Sequence, residues 1–385
     1  MVCLRGACAS ASESQLEGFL AQDGLVARYV RWRARAECGP SGGDGLRQAE
    51  RLYAFAQMLV HEQLTALARR AQAHGCGLYL DLPVGVVRDG FDAHRFEGMY
   101  ARGVSVGAPP DAYFPSGQVW GFAPMLPLAA AQSGHEELVQ AAGRHLRYAR
   151  ALRVDHVMGL WRLYWVPDGH EAQDGAYVRY DAQGALDRLA ELSWRYEATF
   201  VGEDLGTVPP EVERQMAERG MLGMTAAQYD GGAQVLQPAD GGPRRLACLN
   251  THDMPPFAGY LAGRDVALGQ ALGLLDASFA GKVLRERRQA VERLVAELGV
   301  DDAAAMLRAL VDRLCGSPAP IVLVTLEDLW LETEPVNVPG ITSGYPCWRR
   351  PMRRRLEQVV ADRSLSELLA GWSDRLARPL GASRP

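Results

Sequence analysis

Apolar positions follow two periods along this chain. Over residues 15–37, Leu16, Phe19, Leu20, Val26, Tyr29 and Val30 recur at helical spacing. Over residues 47–74, Leu52, Phe55, Ala56, Leu59, Leu64 and Leu67 do the same, which predicts one long amphipathic helix. Between them "CGPSGGDG" (38–45) is a loop by composition. Residues 1–14 carry no such pattern and read as disordered. "GLYLDLPVGV" (77–86) is instead a short continuous apolar run, a buried strand that carries Asp81 and is closed by Pro83.

The alternation then repeats. A helix around 136–150 leads into "ALRVDHVMGLWRLYW" (151–165), and a helix at 184–197 leads into "TFVGEDLG" (199–206). A helix over 209–219 opens on Pro209–Pro210, with proline at a helix start. "RLACLNTHD" (245–253) is another apolar run ending in polar residues. Helical patterns fill 266–316, "PIVLVTLEDLW" (320–330) is the last strand-like run, and a helix closes 351–379.

Helix-then-strand units of this kind predict a parallel sheet with crossover helices. Several runs end in acids or histidine: Asp81, Asp155–His156, Glu203–Asp204, His252–Asp253 and Glu327–Asp328. Strand ends of that type carry the chemistry of a (β/α)8 barrel. An open doubly wound sheet would also hold ligands there, but no glycine-rich dinucleotide fingerprint or phosphate loop follows a strand. The expected fold class is therefore α/β, of the (β/α)8 TIM-barrel type with inserted helical subdomains. Five or six strand-like runs are legible, fewer than a closed barrel needs.

Composition narrows the function. Hydrophobic residues at 48% and charged residues at 23% fit an ordinary globular protein, and a net charge of −5 gives no footprint for nucleic acid or anionic membrane. No apolar run is long enough to cross a bilayer, and the first residues lack the apolar core of a signal peptide. Seven scattered cysteines, with no Cys-x-x-Cys pair, read as free thiols of a cytoplasmic protein.

Candidate chemistry sits at three strand ends. Arg153 and Asp155, two apart on a strand, face the same way, and the guanidinium would hold the carboxylate ionised. A structural ion pair would leave the same trace. Glu203 lies between an apolar run and a glycine turn, where partial burial would suit a general acid; Asp204 would point the other way, to backbone or water. His252 and Asp253 stand at a third end. His252 could be half of a metal site, but the chain has eight histidines and neither a His-x-His nor a His-Glu-x-x-His, so no metal is expected.

Taken together, two carboxylates of opposite protonation fit glycosyl transfer. Tyr113, Phe114, Trp120, Phe122, Trp161, Tyr164 and Trp165 could stack on sugar faces, although any one of them could equally pack a core, as expected of Trp194. Two glycine- and proline-rich excursions, "GAPPDAYFPSGQVWGF" (107–122) and "PVNVPGITSGYPCWRR" (335–350), read as ligand loops that display Asp111, Gln118, Trp120, Asn337, Tyr345 and Trp348.

In these segments the chain resembles the 4-α-glucanotransferases, or amylomaltases. The matching stretches, in the family's order, are "SVGAPPDAYFPSGQVWGFAP", "ALRVDHVMGLWRLYWVPDG", "GAYVRY", "VGEDLGTVPPEV", "THDMPPFAGY" and "LEDLWLETEPVNVPGITSGYPCWRR", covering about residues 45–355. The resemblance implies a nucleophile at Asp155, an acid/base at Glu203 and a transition-state stabiliser at Asp253. It implies that Arg153 and His252 line the subsite of the transferred sugar, and that Asp111, Gln118, Trp120 and Asn337 contact maltodextrin. It implies no cofactor, and no nucleic-acid or membrane partner. Phe122–Ala123, Leu126 and Cys347 depart from the family's usual residues on the acceptor side.

The resemblance also implies that the N-terminal barrel strands are lacking, because relatives carry a substantial portion before the segment matching residue 47. The expected division is a disordered or helical lead-in over 1–46, a catalytic barrel with insertions over 47–355, and a helix and tail over 356–385. Hydrolysis at the same site, or an inactive glucan-binding remnant, are the competing expectations.

Overall fold

Asp23 divides the first helical stretch in two. Its carboxylate accepts the backbone N–H groups of Leu25 and Val26 and so caps a new helix. The computed structural model describes residues 8, 11–39, 43–110, 116–206, 208–231, 244–341 and 343–377. Two compact units emerge, one of residues 1–155 with 159–199, the other of residues 156–158 with 200–385.

In the first unit, α1 (Glu13–Gln22), α2 (Gly24–Cys38) and α3 (Asp44–Ala73) pack around Leu16, Val30, Ala54 and Phe55. The long helix expected over 47–74 is α3, and the loop before it begins after Cys38. β1 (Leu78–Leu82) pairs in parallel with β6 (Ala149–Val154), in a register that sets Asp81 opposite Arg153. Helix α6 (Glu136–Leu146) leads into β6 as the pattern predicts.

The described parts of the excursion at 107–122, residues 107–110 and 116–122, contribute strands where a loop is expected. β3 (Val104–Ala108), β4 (Gln118–Val119), β7 (Arg162–Pro167) and β8 (Ala176–Arg179) form an antiparallel sheet in the order β4-β3-β7-β8. β2 (Val86–Val87) pairs separately with β5 (Phe122–Ala123). Gly107 permits the close β3–β4 approach: a Cβ there would stand 2.2 Å from the Gln118 carbonyl oxygen. Short helices α4 (Phe91–Arg95) and α5 (Pro127–Gln132) complete the stretch.

Helix α7 (Ala182–Tyr196) buries Leu186, Leu189 and Leu192. The expectation that Trp194 packs in the core is corrected: it stands on the other face and is 85% exposed.

In the second unit, the strands are parallel. β10 (Gly223–Ala226), β11 (Arg245–Cys248) and β12 (Ile321–Leu323) pair in that order, and Val201 of β9 (Thr199–Gly202) bridges Leu222 beside β10. β10 lies in a Gly- and Met-rich stretch that carries no strand-like signal. α8 (Pro210–Glu218) starts at the expected proline pair and α9 (Ala227–Asp230) is a single turn.

The helical region 266–316 resolves into α11 (Arg264–Ala271), α12 (Ala277–Leu298) and α13 (Ala303–Cys315), preceded by α10 (Phe257–Leu261). Gly273 and Gly299, both at positive φ (73° and 71°), mark the breaks. The last helix begins later than expected and is broken, as α14 (Leu356–Ala361) and α15 (Arg363–Leu376), because Asp362 caps the second. Leu249, Phe257, Met306, Leu310, Val311 and Trp372 form the core.

Candidate functional site

The β1–β6 register decides what Arg153 touches. Asp81 faces it across the ladder and Asp155 lies two residues on, so both carboxylates reach the same guanidinium. Arg153 is buried, with Nη1 2.7 Å from Asp81 Oδ2 and Nη2 2.7 Å from Asp155 Oδ1. The backbone N–H of Asp155 donates to the Leu82 carbonyl at 3.0 Å, so strand pairing continues up to the carboxylate itself. The expected Arg153–Asp155 pair is present. Asp81 is the partner that sequence reasoning left out of the site.

Glu203 accepts from backbone on both oxygens. The N–H of His156 donates to Glu203 Oε2 at 3.1 Å, and the N–H of Leu205 donates to Oε1 at 2.8 Å. The Val157 N–H donates to the Glu203 carbonyl at 3.0 Å. His156 has φ 44°, the left-handed conformation, and directs that turn. Gly202 makes room: a Cβ there would lie 2.7 Å from Met216 and 2.9 Å from Val157. In sequence, the amide that holds Glu203 Oε2 follows Asp155 directly.

Asp204 turns away from its neighbour, as expected. Its Oδ1 accepts the Met224 N–H at 2.7 Å, and Arg245, which the sequence did not suggest, bonds both Asp204 and Glu213. Burial raises the Asp204 carboxyl, against the pull of Arg245 and the Met224 N–H.

The third end carries Asp253 and its neighbours. Asn337 Nδ2 donates to Asp253 Oδ1 at 2.8 Å, and His252 Nε2 lies 3.2 Å from Asp253 Oδ2. The His252 ring is 5.2 Å from the ring of Trp348, an exposed residue at φ 59°. The structure thus brings His252, Asp253, Asn337 and Trp348 together.

A buried network fixes this loop, and it was missed from sequence. Asp328 accepts Asn250 Nδ2 on Oδ2 and the Phe257 N–H on Oδ1, both at 2.7 Å, and so holds the two ends of residues 250–257. Thr325 Oγ1 donates to Asn250 Oδ1 at 2.8 Å, and Gln228 Nε2 to the Pro255 carbonyl at 3.1 Å. Burial pushes the Asp328 carboxyl up to about 6 despite these donors. The signal available was the acid pair Glu327–Asp328 at the end of the last strand-like run.

Gln118 and Trp120 also meet, through an indole Nε1–H donated to Gln118 Oε1 at 2.8 Å. Asp111, Tyr113 and Phe114 lie outside the described residues. Tyr164 is core: it is 7% exposed and donates its hydroxyl to the Ala172 carbonyl at 2.8 Å. Trp165 donates to Tyr180 at 3.2 Å. Among the described residues, no group of three or more His, Cys, Asp or Glu side chains is placed to hold a metal ion.

Residues 41–357 match the family profile described as 4-alpha-glucanotransferase. The 4-alpha-glucanotransferase of Mycobacterium tuberculosis is 35% identical over 337 residues, covering 81% of this chain and 46% of that protein. That of Haemophilus influenzae is 31% identical over 333 residues, covering 81% and 47%. The chain therefore spans about half the length of the curated relatives it matches.

Among solved structures, amylomaltase from Corynebacterium glutamicum superposes with a TM-score of 0.83 at 29% identity, over 97% of this chain and 58% of that one. Amylomaltase from Streptococcus agalactiae, in complex with acarbose, gives 0.74 at 18% identity, over 95% and 74%, and shows the fold alone. The α/β barrel-type fold predicted from the strand–helix alternation is the fold of these neighbours.

Proposed function

Because the chain belongs to the 4-alpha-glucanotransferase family, we propose that it moves an α-1,4-glucan segment from one maltodextrin to the 4-hydroxyl of another, or of glucose. The observation that carries this reading is the retention of three carboxylates at the family's motif positions, Asp155, Glu203 and Asp253, each held by the bonds described above. We assign residues 47–355 as the catalytic portion and the cytoplasm as its compartment; the six described cysteines, all free thiols, are consistent with the latter.

The reaction proceeds by double displacement. Asp155 attacks the anomeric carbon while Glu203 gives its proton to the leaving glucosidic oxygen, which departs as the free 4-hydroxyl of the released fragment. The glycosyl unit stays on Asp155 as an ester. Glu203, now ionised, takes the proton from the acceptor 4-hydroxyl, whose oxygen displaces Asp155, and the configuration is retained. Such chemistry requires the two carboxylates about 5–5.5 Å apart. Asp253 steadies the positive charge of the transition state, while Arg153 and His252 line the donor sugar. Gln118, Trp120, Asn337 and Asp111 contact glucan. No cofactor or metal enters these steps.

Purified protein given maltotriose should yield glucose and a ladder of longer maltodextrins. Glucose and maltose without longer products would mean that water is the acceptor. Asp155→Asn should abolish transfer while the protein stays folded; transfer near the unaltered rate would sink the nucleophile assignment.

A further inference from the structure

A cavity of about 520 Å³ lies within the first unit, lined from α2, α4, α6 and α7 and the residues that follow them. Five arginines face it, Arg28, Arg95, Arg144, Arg147 and Arg195, against a single lining carboxylate, Glu136. The chain as a whole has 46 acidic and 41 basic residues, so this concentration runs against its overall charge.

Neighbouring carboxylates position these cations and are shared among them. Asp23 holds both Arg144, at 3.0 Å, and Arg147, at 3.1 Å. Glu191 holds Arg195 at 2.7 Å and also bonds Arg188. Asp92 holds Arg95 at 3.0 Å, and the Arg95 guanidinium lies 4.2 Å over the Phe96 ring. Glu136 accepts Gln140 at 2.7 Å. Two of the three positioning carboxylates thus each serve two guanidinium groups, and Arg28 adds a further exposed cation. Burial alone would raise the Asp23 carboxyl, yet Arg144, the Val26 N–H and Arg147 hold it well below the usual carboxylate range, so it stays ionised between these guanidinium groups.

The remaining wall is apolar, with Leu25, Phe96 and Leu192. The volume falls within the range of about 300–1,000 Å³ common to small-molecule sites. Guanidinium forks match phosphoryl oxygens two at a time, and a phosphate offers more such edges than a single carboxylate. We propose that this cavity binds a small organic phosphate, its phosphoryl group against the arginines and its carbon skeleton against the apolar wall. Leu25 and Arg28 precede residue 41, where the family match begins, so this site is built partly from sequence outside that match.

Calorimetric titration of the whole chain with ADP and with glucose 6-phosphate tests this, with inorganic phosphate and adenosine as partial probes. At least one organic phosphate should saturate one site per chain and bind about tenfold or more tighter than inorganic phosphate. Its affinity should fall as salt rises. Arg28→Glu and Arg195→Glu, both exposed positions, should each weaken binding about tenfold while the ligand-free protein stays folded. Val139→Trp, which fills the cavity without changing charge, should also abolish binding. The proposal is overturned by any of three results: no saturation by either phosphate at about 10 mM, affinity equal to that of inorganic phosphate, or binding indifferent to both charge reversals and to the filled cavity.

Discussion

Asn337 donates its side-chain amide to Asp253 at 2.8 Å, across 84 positions of sequence. The amide offers a donor to the carboxylate that, under the proposed mechanism, stays negative to steady a cationic transition state. Asn337→Ala removes that donor and should lower kcat/KM on maltotriose by about ten- to a hundredfold. Asn337→Asp should be worse below neutrality. Two carboxylates in contact cannot both ionise freely, so the acid limb of the pH–rate profile should move to higher pH. An identical loss in both variants at every pH would reduce Asn337 to a packing residue.

Arg153 serves two carboxylates from a buried position, so its removal should cost stability as well as rate. Breaking a buried pair by deleting one partner costs roughly 3–5 kcal/mol; because Asp81 and Asp155 are partly exposed, Arg153→Ala should fall at or below the low end, about 3 kcal/mol. Arg153→Lys keeps the charge but not the two-pronged geometry, and should recover part of the stability and little of the turnover. Urea unfolding and initial rates on maltotriose separate the two effects.

Gly107 tests whether the β3–β4 hairpin sets substrate contacts. With the Gln118 carbonyl 2.2 Å from the position of a Cβ, Gly107→Ala must push the two strands apart. Overpacking of this kind costs about 1–3 kcal/mol. Since Gln118 and Trp120 lie on or next to β4, KM for maltodextrin should rise more than kcat falls. A normal KM in a folded Gly107→Ala protein would remove these two residues from the proposed glucan contacts.

Asp328 predicts a pH dependence of stability. Its carboxyl is raised from 3.8 to about 6, with burial as the main cause. Between those values the folded chain holds a proton that the unfolded chain has released. This group's contribution to stability is therefore full below about pH 4 and is lost as pH rises through about 6, by roughly 3 kcal/mol in all. Asp328→Asn, which stays uncharged, should lack that slope. Its amide puts an NH2 where one of the two accepting oxygens stood, so the Asn250 or the Phe257 donor loses its partner and residues 250–257 should exchange amide hydrogen faster at neutral pH. Parallel stability–pH curves for the two proteins would contradict the assignment.

Periodicity exposed what is local. It gave α3, α6, α7 and α8 within a few residues, because each buries an apolar stripe at helical spacing. It gave β1, β6, β9 and β11 because each is an apolar run ending in a charged or polar group. The Arg153–Asp155 pair was legible because a strand repeats every two residues. Long-range partners were not legible. Asp81 joins Arg153 only through strand register, and Asp328 joins Asn250 across 78 positions. β10 escaped because glycine and methionine carry no strand preference. The segment 107–122 reads as loop because its strands β4 and β5 are two residues long and are held by β3 and β2, partners that no local pattern announces. Trp194 shows the converse, a large apolar side chain that burial logic alone places on the wrong face.

Two donors that orient Glu203 are main-chain amides, those of His156 and Leu205. Every residue except proline supplies such an amide, whatever its side chain. These two bonds are thus written into the path of the backbone. Side-chain changes at 156 and 205 leave both amides in place as long as the turn at 156 keeps its hand. Proline at either position, or an insertion that reroutes the turn, breaks that tolerance at once.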